Sequence, residues 1–170
     1  DAGIRAGWNV ADFGCGPGYY LIPAARFVGP TGHVAGIDLR AVAVDEAKRR
    51  IHAAGLQDHT NVFRADVTQP EGSKLPAAWA DLILLVGVLY QSDPRAVLRE
   101  AARVIKPSGG RIVVVEWEQI ATPVGPPPEQ RVLLDTVLAA AKSASLVVLS
   151  RFAPSPHHYG LMLATTGPDA

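Results

Sequence analysis

The segment Val10-Ala11-Asp12-Phe13-Gly14-Cys15-Gly16-Pro17-Gly18-Tyr19-Tyr20 constrains the fold more than any other part of this 170-residue chain. An apolar, strand-forming run passes into glycines at alternate positions and then into a stretch of helical period. Glycines there let the backbone turn sharply and approach a ligand, and the helix that follows offers unpaired N–H groups and a positive dipole end to an anionic group. Downstream the same alternation recurs. Strands are expected at about 8–13, 33–38, 61–65, 80–86 and 111–117, and helices at about 19–28, 41–54 and 94–105. Five β-α units of this kind make a parallel sheet covered on both faces.

Beyond residue 117 the pattern changes. The stretch Thr122 to Pro128 contains four prolines and a glycine, too many for a helix or a central strand, so it reads as a stiff connection. From Glu129 to Ala141, Val132, Leu133, Val137 and Leu138 share one helical face. Two strand-like runs follow, at about 145–152 and 157–165, separated only by Ala153-Pro154-Ser155-Pro156. So short a connection permits only antiparallel pairing, and the sheet ends in a hairpin.

Length and 48% hydrophobic content support one core, and the expectation is a single domain over residues 1–170. Sixteen basic and sixteen acidic residues cancel, without a basic run, which demotes nucleic acid as a partner. The only cysteine, Cys15, forms no internal disulfide and no thiolate cluster. No apolar run reaches membrane-spanning length and no signal-peptide pattern opens the chain, so a cytoplasmic protein is expected. Because the chain opens at Asp1 without a methionine, an upstream segment forming a lid is a further expectation. Oligomeric state is left open, a homodimer being one option.

The glycines alone do not choose a ligand. A mononucleotide P-loop would need a Gly-Lys-Ser/Thr ending, which is absent. A dinucleotide loop would need a third glycine at 19, where Tyr19 stands. Asp12, near the end of the first strand, suits a ligand's ammonium group and is wrong for a pyrophosphate. Asp38 ends the second strand, where a carboxylate can accept from both hydroxyls of a ribose, and Asp66 ends the third, placed to accept from an adenine amino group. Three carboxylates at successive strand ends line the crevice where open α/β sheets bind ligands.

These residues resemble class I S-adenosylmethionine-dependent methyltransferases. Asp12-Phe13-Gly14-Cys15-Gly16-Pro17-Gly18, Asp81-Leu82-Ile83-Leu84 and Ile105-Lys106-Pro107-Ser108-Gly109-Gly110 are similar to the ubiquinone/menaquinone-biosynthesis-like, type 11 branch. The resemblance implies a Rossmann-like three-layer α/β sandwich with a seven-stranded sheet of order 3-2-1-4-5-7-6, strand 7 antiparallel. It implies S-adenosylmethionine as cofactor, S-adenosylhomocysteine as product and a small-molecule methyl acceptor. Gly14 and Gly16 would then cradle the methionyl end, Asp12 its amino group, Asp38 the ribose, Asp66 with Val67 the adenine, and Leu39 would cover an adenine face. Cys15, Gly18 and Val86 complete the cofactor-side set.

Acceptor-side candidates are Tyr90, Gln91 and Trp117, near the ends of the fourth and fifth strands. No catalytic base is assigned, because related enzymes often carry a His pair or His-Glu where Tyr90 and Gln91 stand. No metal is expected: Asp81 begins rather than ends the fourth strand, and the adjacent His157 and His158 point to opposite faces of a strand. Two other functions stay open, a nicotinamide-dependent oxidoreductase and a protein that binds the cofactor without turnover.

Overall fold

The computed structural model describes residues 3–166. Seven strands form one sheet: β1 Asn9–Phe13, β2 His33–Asp38, β3 Thr60–Arg64, β4 Leu82–Val86, β5 Arg111–Trp117, β6 Leu146–Ser155 and β7 His158–Thr165. Their order is β3-β2-β1-β4-β5-β7-β6, as the resemblance implied. The pairs among β1 to β5 are parallel, and β7 runs antiparallel to both β5 and β6.

The central strand β4 explains why the sheet needs two covers. Its Leu82 and Leu84 enter one apolar cluster and its Ile83 and Leu85 another, so alternate residues are buried on opposite faces. Such uninterrupted apolar runs are the mark of a strand buried on both sides. Helices α1 Leu21–Val28 and α2 Ala41–Ala53 cover the first face through Leu21, Ala24, Val44 and Ala47. Helices α3 Pro94–Val104 and α4 Leu134–Ser143 cover the second through Val97, Leu98, Val137 and Ala140. Each fully buried Leu, Ile or Val contributes roughly 1.5–3 kcal/mol. The start of α3 is set locally: the Asp93 carboxylate accepts from Arg95 N–H at 2.9 Å and Pro94 occupies the first turn.

Three expectations need correction. Four β-α units carry a helix, not five: β3 connects to β4 through a chain of turns over 65–81, where Pro70, Gly72 and Pro76 interrupt any helix and Glu71, Lys74 and Ala78 take positive φ. The last helix begins at Leu134 rather than near 129. Before it lies one 3-10 turn, Pro128–Gln130, and Arg131 is extended (φ −79°, ψ 140°), its side chain drawn back to the preceding loop. The hairpin is also tighter than expected, with β6 running on to Ser155. Register shifts at Val148/Ser150 and Phe152/Ser155 absorb Pro154, which an edge strand tolerates.

Candidate functional site

The C-terminal ends of β1, β2 and β3 border a cleft of about 310 Å³. Gly14, Asp38, Leu39, Asp66 and Val67 line it, together with Gln91, whereas Asp12, Cys15, Gly16 and Gly18, also expected on the cofactor side, are not among its lining residues. Val88, in the stretch after the fourth strand expected to wall the acceptor site, lines it too, and Thr68, Arg40 and Ser92 also line it and were not singled out. Arg40 stands two residues past the strand-end acid and Ser92 one past Gln91, so proximity in sequence was the available signal.

The three acids differ in state. Asp38 is buried and already engaged: its Oδ2 accepts from Gly16 N–H at 2.9 Å and its Oδ1 from Arg40 N–H at 2.9 Å and Arg40 Nε at 3.3 Å. It therefore ties the glycine turn to the end of β2. Asp66 closes a turn of its own, accepting from Thr68 N–H at 2.9 Å and Thr68 Oγ1 at 2.6 Å, and these bonds hold its carboxyl below the usual range. Asp12 closes nothing. It is 2% exposed, and its Oδ2 has no hydrogen-bond partner among the described residues. Burial, and then the nearby Asp38 charge, push its pKa up to about 7. A buried, unpartnered carboxylate oxygen is costly, and in a native fold it calls for an explanation.

The glycines divide as well. Gly14 has φ +75°, and a Cβ there would stand 2.8 Å from Val88 Cγ2, so the turn and the chain after β4 are in direct contact. Gly18 packs against Ala47 of α2, where a Cβ would lie 3.3 Å from Ala47 Cβ, so it serves helix packing rather than the cleft wall. Cys15 is buried with its Sγ directed to Gly16 O, and burial, helped by Asp12 and Asp38, pushes its thiol far up, which removes nucleophilic character. Val86 does not border this cleft. It faces an apolar groove on the α1 side with Leu84 and Phe152, because the pleat of β4 sends it to the face opposite Leu85.

Comparison with known proteins decides the family. The family model for the methyltransferase domain matches residues 10–109, which run from the glycine turn through α3 to the Lys106–Gly109 turn. The chain belongs to this family. It is 36% identical over 120 residues to an uncharacterized 37.1 kDa protein in transposon TN4556 of Streptomyces fradiae, covering 68% of this chain and 32% of that protein. It is 32% identical over 126 residues to the demethylmenaquinone methyltransferase of Halalkalibacterium halodurans, covering 71% of this chain and 48% of that enzyme. The chain thus spans less than half of the length of these two relatives. Among solved structures, a SAM-dependent methyltransferase from Aquifex aeolicus superposes with a TM-score of 0.86 at 26% identity, over 95% of this chain and 84% of that one. This is a class I S-adenosylmethionine-dependent methyltransferase domain of the type 11 branch.

Within the methyltransferase domain the three acceptor-side candidates are dispersed. Gln91 reaches the cleft and donates from Nε2 to Gly87 O at 3.0 Å, and Tyr90 lies beside it, half-buried. Trp117 belongs to a different assembly. The Arg131 guanidinium lies 5.0 Å from its ring centre and the His158 ring 4.0 Å from it. Arg131, 5% exposed, donates to Pro126 O, Glu118 O and Ile120 O at 2.7–2.8 Å and also to Thr122 Oγ1. One buried side chain therefore gathers the proline-rich connection into a fixed loop beside β5. Arg131→Met should lower stability by roughly 2 kcal/mol, since several carbonyls lose their donor, and should speed amide hydrogen exchange selectively over 118–131. A uniform loss across the sheet would contradict that local role.

Among the described residues no group of three or more His, Cys, Asp or Glu could hold a metal ion, and no helix is long and apolar enough to cross a membrane. His158 meets Ser155 Oγ through Nδ1 at 2.7 Å, while His157 Nδ1 is buried without a partner among those residues, so the two rings act separately.

Proposed function

We propose that the chain binds S-adenosylmethionine in the β1-β2-β3 cleft and transfers its methyl group to a small, fairly apolar acceptor. The observation that carries this reading is the unpartnered Oδ2 of Asp12, buried beside the glycine turn. An α-ammonium group satisfies that oxygen, and the positive charge brings the carboxyl back to its ionised form. Gly14 and Gly16 leave room for the amino-acid end, and Asp38 keeps free lone pairs for two ribose hydroxyls beyond its bonds to Gly16 and Arg40. Asp66 Oδ2, contacted by Gln69 at 3.4 Å, and Val67 suit an adenine edge, with Leu39, 59% exposed, over its face.

When bound, S-adenosylmethionine supplies a methyl group already activated on a sulfonium. The chain's own part is alignment, which can be worth roughly 7–11 kcal/mol without a dedicated base. Val88, Gln91 and Ser92 wall the cleft on the side where an acceptor would approach, and the loop held by Arg131 flanks β5. The name of the Halalkalibacterium relative, a demethylmenaquinone methyltransferase, supports an apolar acceptor.

Calorimetry with S-adenosylmethionine, S-adenosylhomocysteine and NAD tests the cofactor. Micromolar binding of the first two and none of NAD is expected; the reverse pattern ends the proposal. Methyl transfer from labelled cofactor should follow to a demethylated quinol and not to DNA or protein.

A further inference from the structure

Glu116, on β5, takes no part in the cofactor contacts proposed for the cleft, yet its setting is unusual. It is 0% exposed, and by alternation along β5 it shares the face of Val114, the one covered by α3 and α4. Its Oε1 accepts from Leu89 N–H at 2.6 Å, and its Oε2 is buried without a partner among the described residues. Burial pushes its pKa up to about 7, opposed first by the Leu89 amide and then by the nearby Tyr90, Val88 and Trp117 amides, which favour the charged form. The carboxylate thus sits at the N-terminal end of the one-turn 3-10 helix Leu89–Gln91 and satisfies its first N–H, that of Leu89.

That turn is the part of the chain that meets the cleft. Gly87, at φ +63°, breaks from β4 and remains tied to β5 through Gly87 N–H to Val115 O at 2.9 Å. Val88 then presses on Gly14, and Gln91 and Ser92 enter the lining. The bonds within the turn, Gln91 Nε2 to Gly87 O and Ser92 Oγ to Val88 O, fix its shape but do not attach it to the sheet beyond Gly87. The side-chain bond that does is the one from Leu89 to Glu116. Tyr159 of β7, paired in register with Glu116, feels the same carboxylate, and its hydroxyl donates to Val132 O at 3.0 Å.

We propose that Glu116 is a positioning residue of the methyltransferase site: it anchors the 87–92 turn to β5 and so sets the distance between Val88 and the glycine turn, and with it the width of the cleft. The proposal rests on the cofactor assignment for its effect on binding, but not for the anchoring itself. A short bond to a charged acceptor shifts an amide proton strongly downfield, so in the ligand-free protein the Leu89 amide resonance should lie well downfield of its neighbours and exchange slowly.

In Glu116→Gln the Leu89 resonance should move upfield, and affinity for S-adenosylhomocysteine should fall roughly tenfold. Asp81→Asn serves as the comparison, because it removes a partly buried carboxylate bonded to Asn9 N–H and Lys106 at the opposite end of the sheet. That variant should lose stability and keep its affinity within about twofold. Affinity unchanged in Glu116→Gln would overturn the proposal, as would equal losses in both variants. If Glu116→Gln does not fold, the wild-type Leu89 amide decides: fast exchange and an ordinary shift refute the anchor. Absence of any S-adenosylhomocysteine binding by the wild type defeats the cofactor assignment instead, and the Leu89 amide then decides alone whether Glu116 anchors the turn.

Discussion

Replacing Asp12 with asparagine should make the ligand-free domain more stable while weakening cofactor binding about 10- to 150-fold. The folded-state pKa of about 7 stands well above the ordinary 3.8. Between those values the folded chain holds a proton that the unfolded chain has released. The contribution of Asp12 to stability is therefore greatest below about pH 4, is lost progressively as pH rises to about 7, and stays reduced above it. A shift of about three units corresponds to about 4 kcal/mol as an upper bound. A buried asparagine amide needs partners of its own and offsets part of this, so a gain of roughly 1–3 kcal/mol at about pH 8 is expected, shrinking toward about pH 4.

Binding moves the other way. Loss of a charge-assisted bond to an ammonium group should cost about 1.5–3 kcal/mol, or about 10- to 150-fold in affinity. In the wild type, affinity should climb with pH up to about 7, since the ligand's ammonium selects the ionised carboxyl. Near about pH 6 binding should release close to one proton, visible as a dependence of calorimetric enthalpy on the ionisation enthalpy of the buffer. A variant with lower melting temperature and undiminished affinity would refute the assignment of Asp12.

The second large effect is expected at Asp38. Asp38→Ala removes the acceptor for Gly16 N–H and Arg40 N–H, so the glycine turn loses its tie to β2. Two ribose hydroxyls lose their acceptor as well, and affinity for S-adenosylhomocysteine should fall roughly 10²–10⁴-fold. Because the Asp38 charge helps to raise the Asp12 pKa, the same change should shift the pH midpoint of any residual binding downward. An affinity within about threefold of wild type would remove Asp38 from the site.

Both residues were legible from sequence for the same reason. Asp12 stands one residue before the end of β1 and its glycine turn, Asp38 ends β2, and parallel β-α order carries all such strand ends to one edge of the sheet. The state of each acid was not legible. Asp66 satisfies its carboxylate within three residues, through Thr68 and Gln69, whereas Asp12 is buried with its Oδ2 unpartnered among the described residues. Val86 was misplaced for a related reason: its neighbour Leu85 lies in the opposite cluster, and sequence does not say which face of β4 the cleft occupies. Arg131, which follows the proline-rich stretch, was not singled out in the sequence. It became the organiser of that stretch only because groups from Glu118 to Pro126 fold back around it.

The alternation of strands and helices, the antiparallel hairpin and the row of acids at the strand ends follow from the amino-acid order alone, since periodicity, glycine spacing and the shortness of one connection are properties of neighbouring residues; the order of the strands was implied by the resemblance of the motifs. Which polar atoms are left without partners is settled only when distant segments pack. Whether Asp12 Oδ2 and Glu116 Oε2 are buried and unpaired among the described residues depends on side chains and backbone brought together from remote parts of the chain, because desolvation is a property of the packed fold and not of neighbouring residues.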